Sequence, residues 1–241
     1  MTEEQIEDAF NGSLFLSSQA AEDMVKRGYG DRLGVDIADI ALKKGYEVGG
    51  LDDVVIKGET FDGTLKESVY AQKIGTKKII PLSDDVEILS SCYAKTNHQL
   101  NIISPAVTAY PRDNGKLSVV FCGKPGTHVA HNNTFLNQTR KKQFISLLKR
   151  AGALPVYYPG DNEILLRAGF IKDNRLLVGI FDLSFDPMEN IDLYLENKPG
   201  EIKMLTPDGD EIDVSWTEKG NNLYTIDVKI EPLYPVILLI K

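Results

Sequence analysis

Cys122 lies a few residues ahead of His128 and His131, and a thiol beside an imidazole is the smallest set that could run nucleophilic catalysis. The imidazole would take the thiol proton, and backbone amides at a sharp turn would hold the oxyanion. That turn is missing, because Lys124, Pro125 and Gly126 follow the cysteine where a helix should begin. His128 and His131 also have H-x-x-H spacing, but an open zinc site needs at least three ligands and a closed one four. Their Gly/Asn-rich surroundings fix geometry weakly, so a polar surface loop is the plainer reading. His98, between Asn97 and Gln99, reads as part of a solvated turn, and Cys92 and Cys122 as buried free thiols. No catalytic residue, metal ligand or cofactor is assigned on this pattern.

Glycoside hydrolysis needs paired carboxylates, one to protonate the leaving oxygen and one to attack or to activate water. With 35 acidic residues such a pair can be drawn almost anywhere. Asp182 with Asp186, and Asp84 with Asp85, sit where turn hydrogen bonding explains them. Trp216, Tyr157, Tyr158 and Tyr224 are the aromatic candidates for stacking on sugar, although strand alternation turns some of them into a core. Gly28 and Gly30 close a helix rather than open one, which excludes a dinucleotide fingerprint there.

The elements that would position these residues follow from caps and periodicity. Thr2 and Gln5 form a capping box for a helix with Ile6, Ala9 and Phe10 on one face. The strand Ser13–Leu16 follows, then a helix capped by Ser17 or Ser18 with Ala20, Ala21, Met24 and Val25 inward and Gly28 as its stop. Asp36 is expected to cap another helix carrying Ile37, Ile40 and Ala41. Strands are then expected at Asp53–Lys57, Ser68–Ile74, Lys78–Pro81, Val86–Ser91, Ala106–Tyr110 and Leu117–Cys122, with a type I′ hairpin turn at Asn114-Gly115. A helix from Asn137 or Gln138 to Ala151 places Phe144, Leu147, Leu148 and Ala151 inward, and Leu154–Tyr158 reads as a last strand of the α/β layer. Beyond Pro159-Gly160-Asp161, short strands recur at Glu163–Phe170, Arg175–Leu183, Ile191–Leu195, Ile202–Leu205, Ile212–Trp216, Leu223–Ile230 and Val236–Ile240. Turns are expected at Asp173-Asn174, Asp208-Gly209 and Lys219-Gly220. The fold class is therefore α+β: an α/β part with a strand-rich insertion over residues 1–160, then an antiparallel β-sandwich over 161–241.

Composition narrows the function. The chain has 241 residues, 42% hydrophobic and 26% charged, with no apolar run near the ~20 residues that cross a bilayer. A formal charge of −8 argues against nucleic-acid binding, which rests on clustered cations. The Arg140, Lys141, Lys142 cluster is too small to reverse this. The acidic opening has no leader pattern, so a cytoplasmic location is the default.

Thr2-Glu3-Glu4-Gln5-Ile6, Leu14-Phe15-Leu16-Ser17, Ala20-Ala21, Arg27-Gly28-Tyr29-Gly30-Asp31 and Leu33-Gly34-Val35 together resemble the late part of a class I glutamine-amidotransferase-like domain. Such domains sit behind the catalytic barrel in bacterial glycoside-hydrolase-like proteins. Asn133-Thr134-Phe135-Leu136-Asn137, Arg140-Lys141-Lys142-Gln143 and Gly179-Ile180-Phe181-Asp182-Leu183-Ser184-Phe185-Asp186-Pro187 extend the similarity, the last in a tail that forms a β-sandwich in these proteins. The family's Gly-x-Cys-x-Gly pattern is absent at Cys92 and Cys122. The resemblance implies a non-catalytic accessory region supporting a catalytic barrel or a subunit interface, whose partners are the parent's catalytic domain or like subunits. The alternatives are a carbohydrate-binding module and a self-contained Cys-His hydrolase using Cys122. The opening also reads like the interior of a longer protein, since one strand between two helices is expected to need further parallel strands before it.

Overall fold

The computed structural model describes residues 2–40, 51–54, 65–69, 77–96, 99–123 and 138–241. They form two compact units, Met1–Ala151 and Gly152–Lys241. His98, His128 and His131 lie outside the described residues, as do Ala41 and the later parts of the strands expected at Asp53–Lys57 and Ser68–Ile74.

In the first unit, α1 (Glu3–Ala9) begins with the capping box: Gln5 N donates to Thr2 Oγ1, and Thr2 N donates to Gln5 Oε1. Strand β1 (Leu14–Ser17) leads into α2 (Ser18–Lys26), whose first turn is capped by the Ser17 hydroxyl accepting from Ala20 N. A short α3 (Gly30–Leu33) ends on Gly34, which is left-handed at φ 72°. Here the structure departs from expectation. Val35–Asp39 is not a helix capped by Asp36 but strand β2, paired antiparallel with β5 (Lys77–Pro81). Asp36 still uses its carboxylate locally, accepting from Ile37 N.

The remaining strands of this unit are β3 (Leu51–Val54), β4 (Leu65–Val69), β6 (Glu87–Thr96), β7 (Gln99–Pro111) and β8 (Leu117–Phe121). Strands β1, β8, β7, β6, β3 and β4 form one six-stranded sheet in that order. Only β1 and β8 run parallel, with Leu14 opposite Ser118 and Ser17 opposite Phe121; the other neighbours are antiparallel. Helix α4 (Gln138–Arg150) follows. All five residues of β8 are buried, as expected of a strand covered on both faces. On one face Val120 and Ala106 pack with Ile6, Phe10, Ala21, Met24, Val35 and Ile79; on the other Val119, Phe121 and Val107 pack with Leu147 and Phe144.

This packing corrects the expectation that the opening helices need additional parallel strands. Ile6, Phe10 and Ala21 are buried against a sheet supplied by this polypeptide, because antiparallel β7 continues the layer beside β8.

The second unit contains β9 (Val156–Tyr157), β10 (Ile164–Phe170), β11 (Leu176–Asp182), β12 (Ile191–Leu195), β13 (Ile202–Leu205), β14 (Glu211–Asp213), β15 (Trp216–Gly220), β16 (Leu223–Ile226) and β17 (Pro235–Ile240). The sheet β10-β11-β17-β13-β14 faces the sheet β15-β16-β12-β9 across one core. Alternation fixes its membership: Leu176, Val178, Ile180, Leu238 and Ile240 from one sheet meet Ile191, Leu193, Leu195, Tyr224 and Ile226 from the other. The segment Leu154–Tyr158 contributes Val156 and Tyr157 to this sandwich, antiparallel to β12, rather than to the α/β layer.

Turn chemistry recurs. At Arg112–Lys116, Ile171–Arg175 and Thr206–Asp210 the first residue's N–H donates to the fifth residue's carbonyl, and the fourth residue's N–H donates back to the first. The fourth residue is left-handed each time: Gly115, Asn174 and Gly209. Asn114-Gly115 is therefore a turn, but not type I′, since only the glycine has positive φ. Positive φ at two successive central residues occurs at Asn221 and Asn222 (53° and 61°) between the paired Gly220 and Leu223, two residues beyond the expected Lys219-Gly220 turn.

Candidate functional site

In sheets with parallel strands, ligands gather beyond the carboxyl ends. In the first unit, the carboxyl end of β1 is Ser17, already committed to capping α2, and that of β8 is Phe121, followed by Cys122. Cys122 N donates to Ala106 O at 2.8 Å, and Lys77 N donates to Cys122 O at 2.9 Å. The cysteine is buried and belongs to the apolar cluster beneath α1 and α2. A thiol acts as a nucleophile when reagents can reach it, and Cys122 is 8% exposed.

Beside it stands a cluster of charges. Lys77 Nζ lies 2.6 Å from Asp39 Oδ1, directly opposite it in the β2–β5 ladder, and 3.2 Å from Glu22 Oε2. Lys26 Nζ reaches the other oxygen of Glu22 at 2.8 Å. The hydrogen bonds from Lys26 and then Lys77 hold the Glu22 carboxyl below the usual range; Lys77 does the same to Asp39. In return Asp39, then Glu22, raise the Lys77 ammonium above the ordinary lysine value. An amine kept protonated in this way is a fastener between α2, β2 and β5, not a nucleophile. Sequence reasoning missed it, because Glu22, Asp39 and Lys77 come from three distant elements.

A second polar constellation ties the end of α1 to the β7–β8 turn. The Arg112 guanidinium donates to the carbonyls of Phe10, Gly12 and Leu117, and Asn114 Nδ2 also donates to Phe10 O. Arg32 lies 3.8 Å from the Phe10 ring centroid and pairs with Glu7 at 2.6 Å. Desolvation lowers the Arg112 pKa. The guanidinium thus satisfies the carbonyls of Phe10 and Gly12, which follow the last turn of α1, and that of Leu117 at the start of β8.

The aromatic candidates are dispersed through the sandwich. Tyr224 is buried and meets Trp216 edge to face (81°, 5.5 Å between centroids), a packing geometry rather than a flat platform for a sugar ring. Tyr157 stacks on Tyr194 at 4.8 Å across the β9–β12 pair. Tyr158 packs against the core, and its phenol is pushed up chiefly by burial, with Asp161 adding and a hydrogen bond from the Asn162 backbone opposing. Asp182, buried as the last residue of β11, accepts from Ser184 N through Oδ1; Ser184 Oγ donates to Asp186 O in the loop that follows, and Asp84 and Asp85 occupy the exposed β5–β6 turn. Among the described residues, no group of three or more His, Cys, Asp or Glu side chains is placed to hold a metal ion. Nor, among them, is any helix long and apolar enough to cross a membrane.

No family model and no curated protein matches this chain in sequence. Among solved structures it is similar to α-L-fucosidase isoenzyme 2 from Paenibacillus thiaminolyticus, with a TM-score of 0.58 at 10% identity. That likeness covers 100% of this chain and 39% of the enzyme's chain, so this protein spans well under half the length of its neighbour. At such identity the similarity is one of fold: a β-rich α+β architecture found within part of a glycoside hydrolase.

Proposed function

We propose that this chain is a non-catalytic accessory region of a glycoside-hydrolase-type protein, with an amidotransferase-like first unit, supporting a catalytic barrel or a subunit interface. The observation that carries the reading is coverage: the whole chain matches 39% of an α-L-fucosidase chain, leaving the larger part of that enzyme without a counterpart here. The reading does not rest on missing strands, since the six-stranded sheet covers the opening helices. The setting of Cys122 and Lys77 agrees with it, because one group is buried in apolar surroundings and the other is locked between carboxylates.

The test is an assay of the purified chain against 4-nitrophenyl α-L-fucoside and a set of other aryl glycosides. The expected result is no turnover above the buffer blank. Turnover that co-purifies with the chain, and disappears on substitution of one of its own carboxylates, would overturn the reading. Iodoacetamide at neutral pH tests the Cys122 hydrolase separately: the buried thiol should react no faster than a free cysteine, and a much faster reaction would revive that alternative.

A further inference from the structure

At one end of the sandwich, two loops present large apolar side chains to solvent. Phe185 is 98% exposed, Leu233 73%, Tyr234 72% and Leu183 48%. These residues are neighbours in space. Leu233 N donates to Asp182 O, Phe181 pairs with Pro235, and Met188 and Ile230 bridge antiparallel at the base of the two loops. The loops are also held: Ser184 N is fixed by the Asp182 carboxylate, and Leu233 has φ 65°, a left-handed conformation that side-chain-bearing residues rarely adopt. The rim is acidic, with Asp186, Glu189 and Glu231 exposed and Lys229 already paired to Glu231 at 2.7 Å.

We infer that this end of the sandwich, Leu183, Phe185, Leu233 and Tyr234, is the face that docks against a second folded domain of the same polypeptide. The docking surface opposite it has an apolar pocket for Phe185 and a cationic rim facing the carboxylates. The inference rests on the accessory-region reading above, and two physical points choose this occupant over a second copy of the chain. A two-fold contact sets Asp186, Glu189 and Glu231 against themselves in a protein of net charge −8. The area is also modest: the two aromatic side chains, Phe185 and Tyr234, bury about 150–250 Å² each, so together they supply roughly 300–500 Å², and two smaller leucines, Leu183 only 48% exposed, leave the patch short of the ~800 Å² per partner of a standard free-standing interface. A tethered domain needs less, because linkage supplies an effective concentration in the millimolar range. A single fully exposed phenylalanine flanked by leucines suits a pocket in a protein surface better than a sugar ring, which calls for a flat aromatic face edged by hydrogen-bonding groups.

The experiment is carbene footprinting of the 241-residue chain and of the intact native protein that carries it, isolated from its source cells. The expected result is strong labelling of Phe185, Leu233 and Tyr234 in the chain alone and several-fold weaker labelling in the native protein. Equal labelling in both overturns the inference while leaving the accessory role standing, whereas glycosidase activity in the chain alone removes that role itself. Phe185→Asp provides a second readout. It should leave the melting temperature of the isolated chain unchanged and restore labelling of Tyr234 in the intact protein; continued protection of Tyr234 there would sink the assignment. Light scattering settles the rival occupant: a dimer of the isolated chain that Phe185→Asp converts to monomer shows that a second copy sits on this face, and overturns the tethered-domain assignment.

Discussion

The two units solve the problem of closing a sheet in opposite ways. In the sandwich, nine short strands build a single core in which members of both sheets alternate inward, with Val178, Ile180, Ile191, Leu193 and Ile226 fully buried. In the first unit, one six-stranded sheet separates two smaller cores, and its first strand pairs with one that comes about a hundred residues later. Three of the sandwich's seven strand pairings join neighbours in sequence, β10–β11, β13–β14 and β15–β16, and the other four bring distant strands together through apolar side chains that share the one core. The first unit depends on distant groups arriving together: Arg112 at the end of α1, Lys77 between Glu22 and Asp39, and Tyr110 against Gly34.

This contrast can be broken from either side. Leu193→Ala removes a fully buried side chain from the sandwich and should cost about 2–5 kcal/mol, read by urea denaturation as a loss confined to the transition of the second unit. Loss of both transitions together would show that the units fold as one. Gly34→Ala acts on the first unit: the residue is left-handed, and an added Cβ would stand 2.6 Å from Tyr110 Cγ. Left-handed strain plus overpacking should cost about 2–4 kcal/mol. Arg112→Ala strands the carbonyls of Phe10, Gly12 and Leu117 and should cost about 1–3 kcal/mol, again in the first unit's transition. Thr2→Ala opens the capping box and should cost about 1 kcal/mol, while Thr2→Ser should cost almost nothing.

The smallest effect is a pH dependence. Glu22 and Asp39 are held below the ordinary carboxylate range, so their contribution is fully present above that range and is lost as pH falls through their lowered values. Lys77 is raised, so its contribution is present below the ordinary lysine value and is lost only as pH rises through the raised one. Lys77→Met should therefore flatten the acid limb of melting temperature against pH, and salt should shrink the difference between variant and parent because Asp39 and Lys26 are exposed. An unchanged acid limb would show that the ladder pair contributes nothing measurable.

What could be read in the sequence divides between local signals and distant partners, in both units. The Thr2–Gln5 box, the Ser17 cap and the stop at Gly28 are local chemistry, and each appears where the residues place it. Most sandwich strands were legible because alternation and turn residues are also local, but the strand expected at Ile212–Trp216 is split between β14 and β15, which belong to different sheets, and the successive positive φ values lie at Asn221-Asn222 rather than at Asn114-Gly115. Val35–Asp39 misled because five residues after a glycine suit a capped helix as well as a strand, and the deciding partner is Lys77–Pro81, some forty residues away. The sheet that covers the opening helices was hidden for the same reason, since nothing near β1 announces that β8 will lie parallel to it. At the candidate site, Cys122 was legible as a buried free thiol, which the structure bears out, whereas the Lys77 cluster has no signature in any single stretch. The exposed Phe185 and Leu233 were overlooked because an apolar residue in a turn reads as incidental until exposure is known.

The parallel pairing of β1 with β8 has a consequence for biosynthesis. Ser17 meets Phe121, so at ~5–20 residues per second a ribosome spends roughly 5–20 s making the intervening stretch after the opening segment is complete. Throughout that interval Ile6, Phe10 and Leu16 have no finished layer to cover them, and this segment is an obvious early client for a holding chaperone.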